Sequence, residues 1–396
     1  MDYLQQLLNN QPVEWKKLGE VAQYSKTRID ASLLNENNYV GVDNMLQNCK
    51  GKTFSEHVPT TGRFTAYAPK NILIGNIRPY LKKIWFADNE GGTNGDVLVI
   101  QTTDERVLPE YLYQVLSDDA FFSYDMQHAK GAKMPRGNKD KILDYIIPIP
   151  PLSVQSRIVE ILDKFTALEA ELEAELELRK KQYAYYREQL LNFSYTPPSE
   201  FNVVYRKLGE VCTKVCSGGT PSTSNPEYYK GNIPWLRTQD VDWKDVYDTD
   251  IKITEEAIKH SSAQWIPANC VIVAMYGATA AKACINRIPL TTNQACCNLQ
   301  VDENIAHYKY VYHWICREYE RLRALGEGSQ SNLSSKKIKD YKIPIPPLSE
   351  QARIVEILDK FDTLTNSISE GLPLEIQLRR QQYEYYREQL LAFPHP

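Results

Sequence analysis

A chain that repeats itself can fold only in ways open to two copies of one unit, and repetition is the strongest signal in this sequence. WKKLGEV (Trp15 to Val21) returns as YRKLGEV (Tyr205 to Val211). DYIIPIPPLSVQSRIVEILDKF (Asp144 to Phe165) returns as DYKIPIPPLSEQARIVEILDKF (Asp340 to Phe361), and RKKQYAYYREQLLNF (Arg179 to Phe193) returns as RRQQYEYYREQLLAF (Arg379 to Phe393). The 396 residues therefore form two halves that end in the same kind of segment. Between the repeats, segment 24–140 shows no likeness to 212–335. A shared scaffold carrying two separately shaped surfaces is the expectation.

The repeated tail reads as a long helix. Pro148, Pro150 and Pro151 cannot sit in a helix interior and mark an extended lead-in. Ser153 and Ser349 are the expected N-caps. Apolar residues then recur every three or four positions, from Ile158, Leu162 and Phe165 through Leu176 to Tyr183, Tyr186 and Leu190. The second copy does the same from Ile354, Leu358 and Phe361 to Tyr383, Tyr386 and Leu390. Such a seam can pack on its own domain. Two matched seams of this length favour pairing of one helix with the other. Phe165 and Tyr183 lie 18 positions apart, Phe361 and Tyr383 lie 22 apart, and the difference of four is about one turn, so the seam survives. Gly371 and Pro373 predict a break near Glu370. DYLQQLLN (Asp2 to Asn9) resembles YYREQLLN (Tyr185 to Asn192), so the first residues are expected to dock beside the long helices.

The predicted fold class is α+β: two mixed α/β domains joined by two long antiparallel coiled-coil helices, with a pseudo-two-fold internal repeat. The predicted division is an N-terminal helix at 1–12, a first variable domain at 13–151, a first spacer helix at 152–195, a second variable domain at 196–347 and a second spacer helix at 348–396.

Composition narrows the class of function. Hydrophobic residues make up 42% and charged residues 24%, as in ordinary globular domains. No apolar run is long enough to span a bilayer, and the N-terminus lacks a basic start followed by an apolar core, so neither membrane nor secretory signal is expected. The eight cysteines are too sparse and irregular for a secreted disulfide framework and read as reduced thiols of a cytoplasmic protein. The net charge of −4 does not by itself indicate nucleic acid. The two repeated tails carry most of the excess acid, with 6 basic and 8 acidic residues in 152–195 and 5 and 8 in 348–396, leaving the remainder close to neutral.

PIPPLS-x-Q followed by RIVEILDKF, then R-[KR]-[KQ]-QY-x-YYREQLL, resembles the conserved regions of type I restriction-modification specificity subunits, and the match occurs at the end of each half. LEAELEAELELR (Leu168 to Arg179) resembles the central short repeats of some of these subunits. The variable parts carry stretches similar to the family's recognition domains: YVGVDNM (Tyr39 to Met45), ILIGNIRPYLKK (Ile72 to Lys83) and GAKMPRGNKDKIL (Gly131 to Leu143) in the first half, then SGGTPSTSNPEYY (Ser217 to Tyr229), IPWLRTQDV (Ile233 to Val241), YGATAAKA (Tyr276 to Ala283) and SQSNLSSKKI (Ser329 to Ile338). The resemblance implies that the variable domains are target-recognition domains, each reading half of a split, asymmetric double-stranded DNA target. It implies that the paired helices fix the spacing and dock two methyltransferase subunits, which use S-adenosylmethionine to methylate adenine. Restriction subunits join the complex, and this chain needs no cofactor of its own. A helix of about 33 residues is roughly 50 Å long, enough to hold two readers one DNA turn of about 34–36 Å apart.

Base readout calls for Arg, Lys, Asn or Gln at base edges, and phosphate contact for cations and hydroxyls. The candidate DNA-binding residues of the first half are Arg78, Tyr80, Lys82, Lys83, Asn94, Lys133, Arg136 and Lys139. Those of the second half are Arg237, Thr238, Gln239, Tyr276, Thr279, Lys282, Gln330, Asn332 and Lys336. Each cluster also has a plain reading as a solvated strand end or loop. No catalytic or metal-ligating residue is expected. Asn225-Pro226-Glu227-Tyr228 is a poor version of an amino-methyltransferase motif, Glu227 with Asp242-Trp243-Lys244 only loosely resembles a nuclease set, and no glycine-rich phosphate cradle is present. Cys212, Cys216, Cys296 and Cys297 lack metal-ligand spacing. Two alternatives from other classes stay open at this level: a self-contained methyltransferase or nuclease with its own reader, and a coiled-coil adaptor that does not bind DNA.

Overall fold

The computed structural model describes residues 3–193, 202–326, 332–367 and 369–394. The chain forms two compact units, Met1–Glu171 with Gln377–Pro396, and Leu172–Ile376.

Apart from short 3-10 turns, the first unit runs α1 (Tyr3–Leu8), β1 (Glu14–Lys17), α2 (Leu18–Val21), β2 (Ala22–Tyr24), β3 (Arg28–Asp30), β4 (Tyr39–Val40), β5 (Arg63–Tyr67), β6 (Ile72–Gly75), β7 (Ile84–Phe86), β8 (Gly91–Thr93), β9 (Val97–Thr102), α3 (Pro109–Leu116), α4 (Asp119–His128), α5 (Lys139–Leu143) and β10 (Ile146–Ile149), then enters α6 (Leu152–Leu190). One sheet has the order β2-β9-β6-β7, the other β3-β5-β8-β4. Alternation along the central strands sends side chains to opposite faces. Leu73, Val97 and Val99 meet Val40 and Tyr67 between the sheets. Ile72, Ile74, Leu98 and Ile100 face the helical side with Tyr111, Leu112 and Phe121.

The second unit continues with β11 (Val204–Lys207), β12 (Cys212–Ser217), β13 (Ile233–Leu236), β14 (Asp245–Val246), β15 (Lys252–Ile253), α7 (Glu255–Lys259), β16 (Val271–Ala274), β17 (Ala283–Asn286), β18 (Thr291–Thr292), β19 (Cys296–Val301), α8 (Tyr308–Arg317), α9 (Tyr319–Ala324), α10 (Ser335–Asp340), β20 (Lys342–Ile345), α11 (Leu348–Asn366) and α12 (Gly371–Leu391). Its main sheet, β12-β19-β16-β17-β14, repeats the first unit's order with one strand added, beside a second sheet β15-β13-β18. The alternation is repeated too: Ile272, Cys284 and Cys296 lie between the sheets, while Val271, Val273 and Cys297 face Tyr310, Val311 and Ile315. The segments without sequence likeness thus share the order of the main sheet, while the second sheets have in common only a parallel pair, β4 with β8 and β13 with β18.

The repeated sequences form the frame of each unit. WKKLGEV closes against the strand that precedes the long helix: β1 pairs antiparallel with β10, and β11 with β20. Lys17 pairs with Asp144 at 3.0 Å, and Lys207 with Asp340 at 2.8 Å. Glu20 and Glu210 accept from the backbone N–H of Lys17 and Lys207 and so cap the turn that follows. Tyr111 and Tyr310, in segments that look unrelated, donate to the carbonyls of Pro148 and Pro344.

The helices begin two residues earlier than caps at Ser153 and Ser349 would place them, at Leu152 and Leu348, so these serines are not N-caps. The glutamines of PPLS-x-Q do the anchoring instead. Buried Gln155 donates to the carbonyls of Pro150 and Arg106 and accepts from Leu108 N–H. Buried Gln351 makes the same three bonds, to Pro346, Ile305 and His307.

Helix pairing is antiparallel inside each unit. In the first, Phe165 stacks on Tyr386 with centroids 5.3 Å apart, and Glu169 pairs with Arg380. Ile158 and Leu162 share a core with Leu390, Phe393 and with Leu4 and Leu8 of α1. In the second, Tyr186 stacks on Phe361 at 5.3 Å, and Ile354 and Leu358 share a core with Tyr183 and Leu191. Each such buried aliphatic side chain stabilises its unit by about 1.5–3 kcal/mol. The second helix is interrupted between Asn366 and Gly371, where Gly371 takes φ +79°. Pro373 then falls in the first turn of α12, where its missing N–H costs nothing.

Candidate nucleic-acid interface

The β6–β7 hairpin of the first unit and the β16–β17 hairpin of the second carry loops of the same build. In the first, a 3-10 turn (Pro79–Leu81) lies between two left-handed residues, Arg78 at φ +53° and Lys82 at +49°. In the second, Gly277–Thr279 forms the 3-10 turn, with left-handed Gly277 at +79° and Ala281 at +69°. Left-handed backbone at Arg, Lys and Ala costs on the order of 1 kcal/mol or more per residue. Shared by loops without sequence likeness, such strain marks a shape the fold enforces.

Each hairpin loop is tied to two further segments. The strands β4 and β13 run into tight turns closed by Asn44 Oδ1 on Gly41 N–H (2.7 Å) and by Asp240 Oδ2 on Arg237 N–H (3.1 Å). The hairpin reaches these turns through Lys83 Nζ, which donates to Val42 O at 2.6 Å, and through Thr279 Oγ1, which donates to Thr238 O at 2.7 Å. The loop ahead of the repeated tail is the second tie. In the first unit Arg78 N–H donates to Pro135 O (2.7 Å), Gly137 N–H donates to Asn76 O (3.0 Å), and Lys130 and Arg136 exchange two 2.9 Å backbone bonds. In the second unit Leu333 N–H donates to Met275 O at 2.8 Å. A strand end completes the set. Asn94 accepts from Asp96 N–H at 3.0 Å, and Asn293 accepts from Ala295 N–H at 3.2 Å.

This geometry sorts the candidates. Arg78, Tyr80, Lys133, Arg136 and Lys139 are exposed in the first unit, and Asn94 is half-buried. Lys82 pairs with Asp119 at 2.7 Å and Arg136 with Asp96 at 3.2 Å. Lys83 is turned inward, and its ammonium is spent on Val42, so it stands apart from the exposed set; burial holds its pKa below the usual lysine range. In the second unit Gln239, Tyr276, Asn332 and Lys336 are exposed, while Thr238 and Thr279 are half-buried and bonded to each other. Arg237 forks onto Asp240, at 3.2 and 3.3 Å, and Lys282 pairs with Asp242 at 2.6 Å. Gln330 lies outside the described residues. Asn293 was not singled out by sequence; the signal was there, since Thr292-Asn293 repeats Thr93-Asn94 at the end of an equivalent strand.

Solvent-accessible ion pairs such as these contribute only about 0–1 kcal/mol, so a phosphate can displace the carboxylate from Lys82, Arg136 or Lys282 at little cost. Among the described residues no three His, Cys, Asp or Glu side chains converge as metal ligands, and no helix is long and apolar enough to cross a membrane. Burial pushes the thiols of Cys49 and Cys297 up to about 11, as befits packing residues and not nucleophiles.

Comparison with known proteins agrees with this picture. The family model described as the type I restriction modification DNA specificity domain matches residues 10–178 and again 200–378. The specificity subunit of the type I restriction enzyme EcoR124I/EcoR124II of Escherichia coli is 39% identical, over 100% of this chain and 98% of that one. A putative type I restriction enzyme specificity subunit of Haemophilus influenzae is 32% identical over 99% and 98% of the two chains. Among solved structures, a chain from a type I restriction-modification complex superposes with a TM-score of 0.62 at 19% identity, covering 96% of this chain and 98% of its own. The HsdS subunit of Thermoanaerobacter tengcongensis gives 0.51 at 19% identity and 96% coverage of both; at such identities the likeness shows the fold.

Proposed function

The chain belongs to the family of type I restriction-modification DNA specificity subunits, and on that premise we propose that each of its units reads one half of a split, asymmetric DNA target through the hairpin-loop end of its paired sheets. As a subunit of this kind it selects the DNA sequence and is not itself the catalyst; methylation and cleavage belong to the methyltransferase and restriction subunits with which such chains assemble. Our reading adds that two methyltransferase subunits dock through the paired helices, that α6 sets the spacing of the half-sites, and that the complex works in the cytoplasm.

The observation that carries the proposal is the pair of matched, unlike loop ends. Both units build the same strained hairpin loop, tie it to the same neighbouring segments, and dress it with different side chains: Arg78, Tyr80, Lys133 and Arg136 in one, Arg237, Gln239, Tyr276 and Lys282 in the other. Equal backbone with unequal donors is what two half-sites of different sequence require, since backbone and cation contacts to phosphate position a reader and side chains at base edges specify.

The test is the adenine methylome of a host that expresses this chain with its methyltransferase partner. A motif of two unlike half-sites separated by a fixed gap is expected. Methylation at a continuous motif, or none with a well-assembled complex, would overturn the reading.

A further inference from the structure

Beneath the basic loop of the first unit lies a polar cluster that the contacts above do not use. Asp125, on α4, is 1% exposed, and neither of its carboxylate oxygens has a hydrogen-bond partner among the described residues. Asn76, at the head of the hairpin loop, is 6% exposed and its Oδ1 is likewise unpartnered. Both converge on the Cα of Gly137. A methyl carbon placed there would lie 2.5 Å from Asp125 Oδ1, 2.7 Å from Asn76 Oδ1 and 2.9 Å from Asp125 Oδ2.

Acceptors that face one another in a buried space repel, and each unpaired one costs its full desolvation. A proton on the carboxyl removes the conflict by turning one acceptor into a donor. The backbone of the same residues bolts the loops together, since Gly137 N–H donates to Asn76 O and Arg78 N–H donates to Pro135 O. We infer that Asp125 and Asn76 share a proton beneath Gly137 and thereby position the basic 130–137 loop, so that reading of one half-site, and not the other, is coupled to proton uptake.

Burial pushes the Asp125 carboxyl up to about 6, opposed by His128 one turn along α4. The other titratable group tied to it is Tyr24 on β2, whose hydroxyl donates to Lys139 O and feels both Asp125 and Asp140. Arg136, in the loop itself, is paired with Asp96. Phosphates gathered by Lys130, Lys133 and Arg136 add negative potential above the carboxyl and make its proton harder to remove. The neutral acid is the locked form, so affinity is highest at low pH and falls as pH rises through and above about 6. By reciprocity, DNA binding must then take up a proton. Among the described residues of the second unit, those that meet at the matching contact, Met275 and Leu333, are apolar and buried.

Asp125 is a positioning residue on this account, and the inference rests on the DNA-reading role proposed above. The experiment is calorimetric titration of the assembled methyltransferase complex with its target duplex, in buffers of different ionisation enthalpy, across about pH 5.5–8. Wild type should take up a fraction of a proton and lose about tenfold in affinity toward the alkaline end, the linkage expected if DNA makes the proton about tenfold harder to remove. Scrambling one half-site should abolish the uptake; scrambling the other should leave it. In Asp125→Asn the amide donates to Asn76 Oδ1 at every pH, so uptake should vanish and affinity become flat with pH, while His128→Gln should retain both. Binding without proton uptake, uptake that survives Asp125→Asn, or uptake lost equally with either half-site would overturn the inference, and the wild-type half-site comparison decides the matter even if a variant fails to fold. Absence of sequence-specific binding would instead count against the DNA-reading role itself.

Discussion

Gly137 shows how a single residue decides the shape of the proposed interface. A side chain there would run into Asp125 and Asn76, so Gly137→Ala must displace the loop that carries Lys133 and Arg136. Gel shifts should show at least about a tenfold loss on the full target, with discrimination at one half-site lost and at the other kept. Arg136→Ala should act differently. If Arg136 touches phosphate, binding weakens across all sequences and the slope of log affinity against log salt falls by about one, whereas loss at a single base position would mean it reads sequence. Asp125 also makes the fold sensitive to pH. Its folded value, about 6, lies above that of an unfolded aspartate, so its favourable contribution is complete below about pH 4 and is lost as pH rises through about 6. Chemical denaturation of Asp125→Asn should lack that component, on the order of 2–3 kcal/mol. Sequence placed most of the exposed candidates correctly on loops, because clustered cations and glycines rarely lie elsewhere. It could not see that Lys83 turns inward, because the carbonyl that draws it belongs to Val42, forty-one positions away.

At the level of elements, α6 is one helix of 39 residues, about 58 Å long, and the LEAE run at its middle adds about 6 Å per repeat. Deleting Leu172 to Glu175 should shorten the gap in the methylated motif and leave both half-site sequences as they were; changed half-site bases with an unchanged gap would defeat the ruler idea. The partner helix is broken at Gly371, whose left-handed backbone brings it against the carbonyls of Thr363 and Leu364. The break was legible from glycine and proline because both act locally. The anchoring by Gln155 and Gln351 was not: a glutamine four residues after a proline pair looks solvated until the domain supplies Arg106 and Leu108, or Ile305 and His307, to meet it. Gln155→Ala would leave the buried Pro150 carbonyl and the half-buried Leu108 N–H and Arg106 carbonyl without this partner and should lower stability by about 1–3 kcal/mol in thermal or urea unfolding.

At the scale of the molecule, the halves repeat one plan with different surfaces, and a chain with the second half's variable segment in both places should read a symmetric target, visible as a palindromic methylation motif. Sequence alone established the duplication, the helical seams, the extended lead-ins and the family, because each is carried by residues near one another in the chain: a period, a proline, a repeated motif. Tertiary structure alone revealed that segments without common residues share a main-sheet order, that their hairpin loops place left-handed residues at matching positions, and that Asp125 and Asn76 both lie against Gly137. Strand order and loop conformation depend on backbone pairing and burial, which many side-chain sets satisfy equally well, so they leave no fixed trace in the letters. A contact between residues dozens of positions apart exists only once the sheets have brought them together.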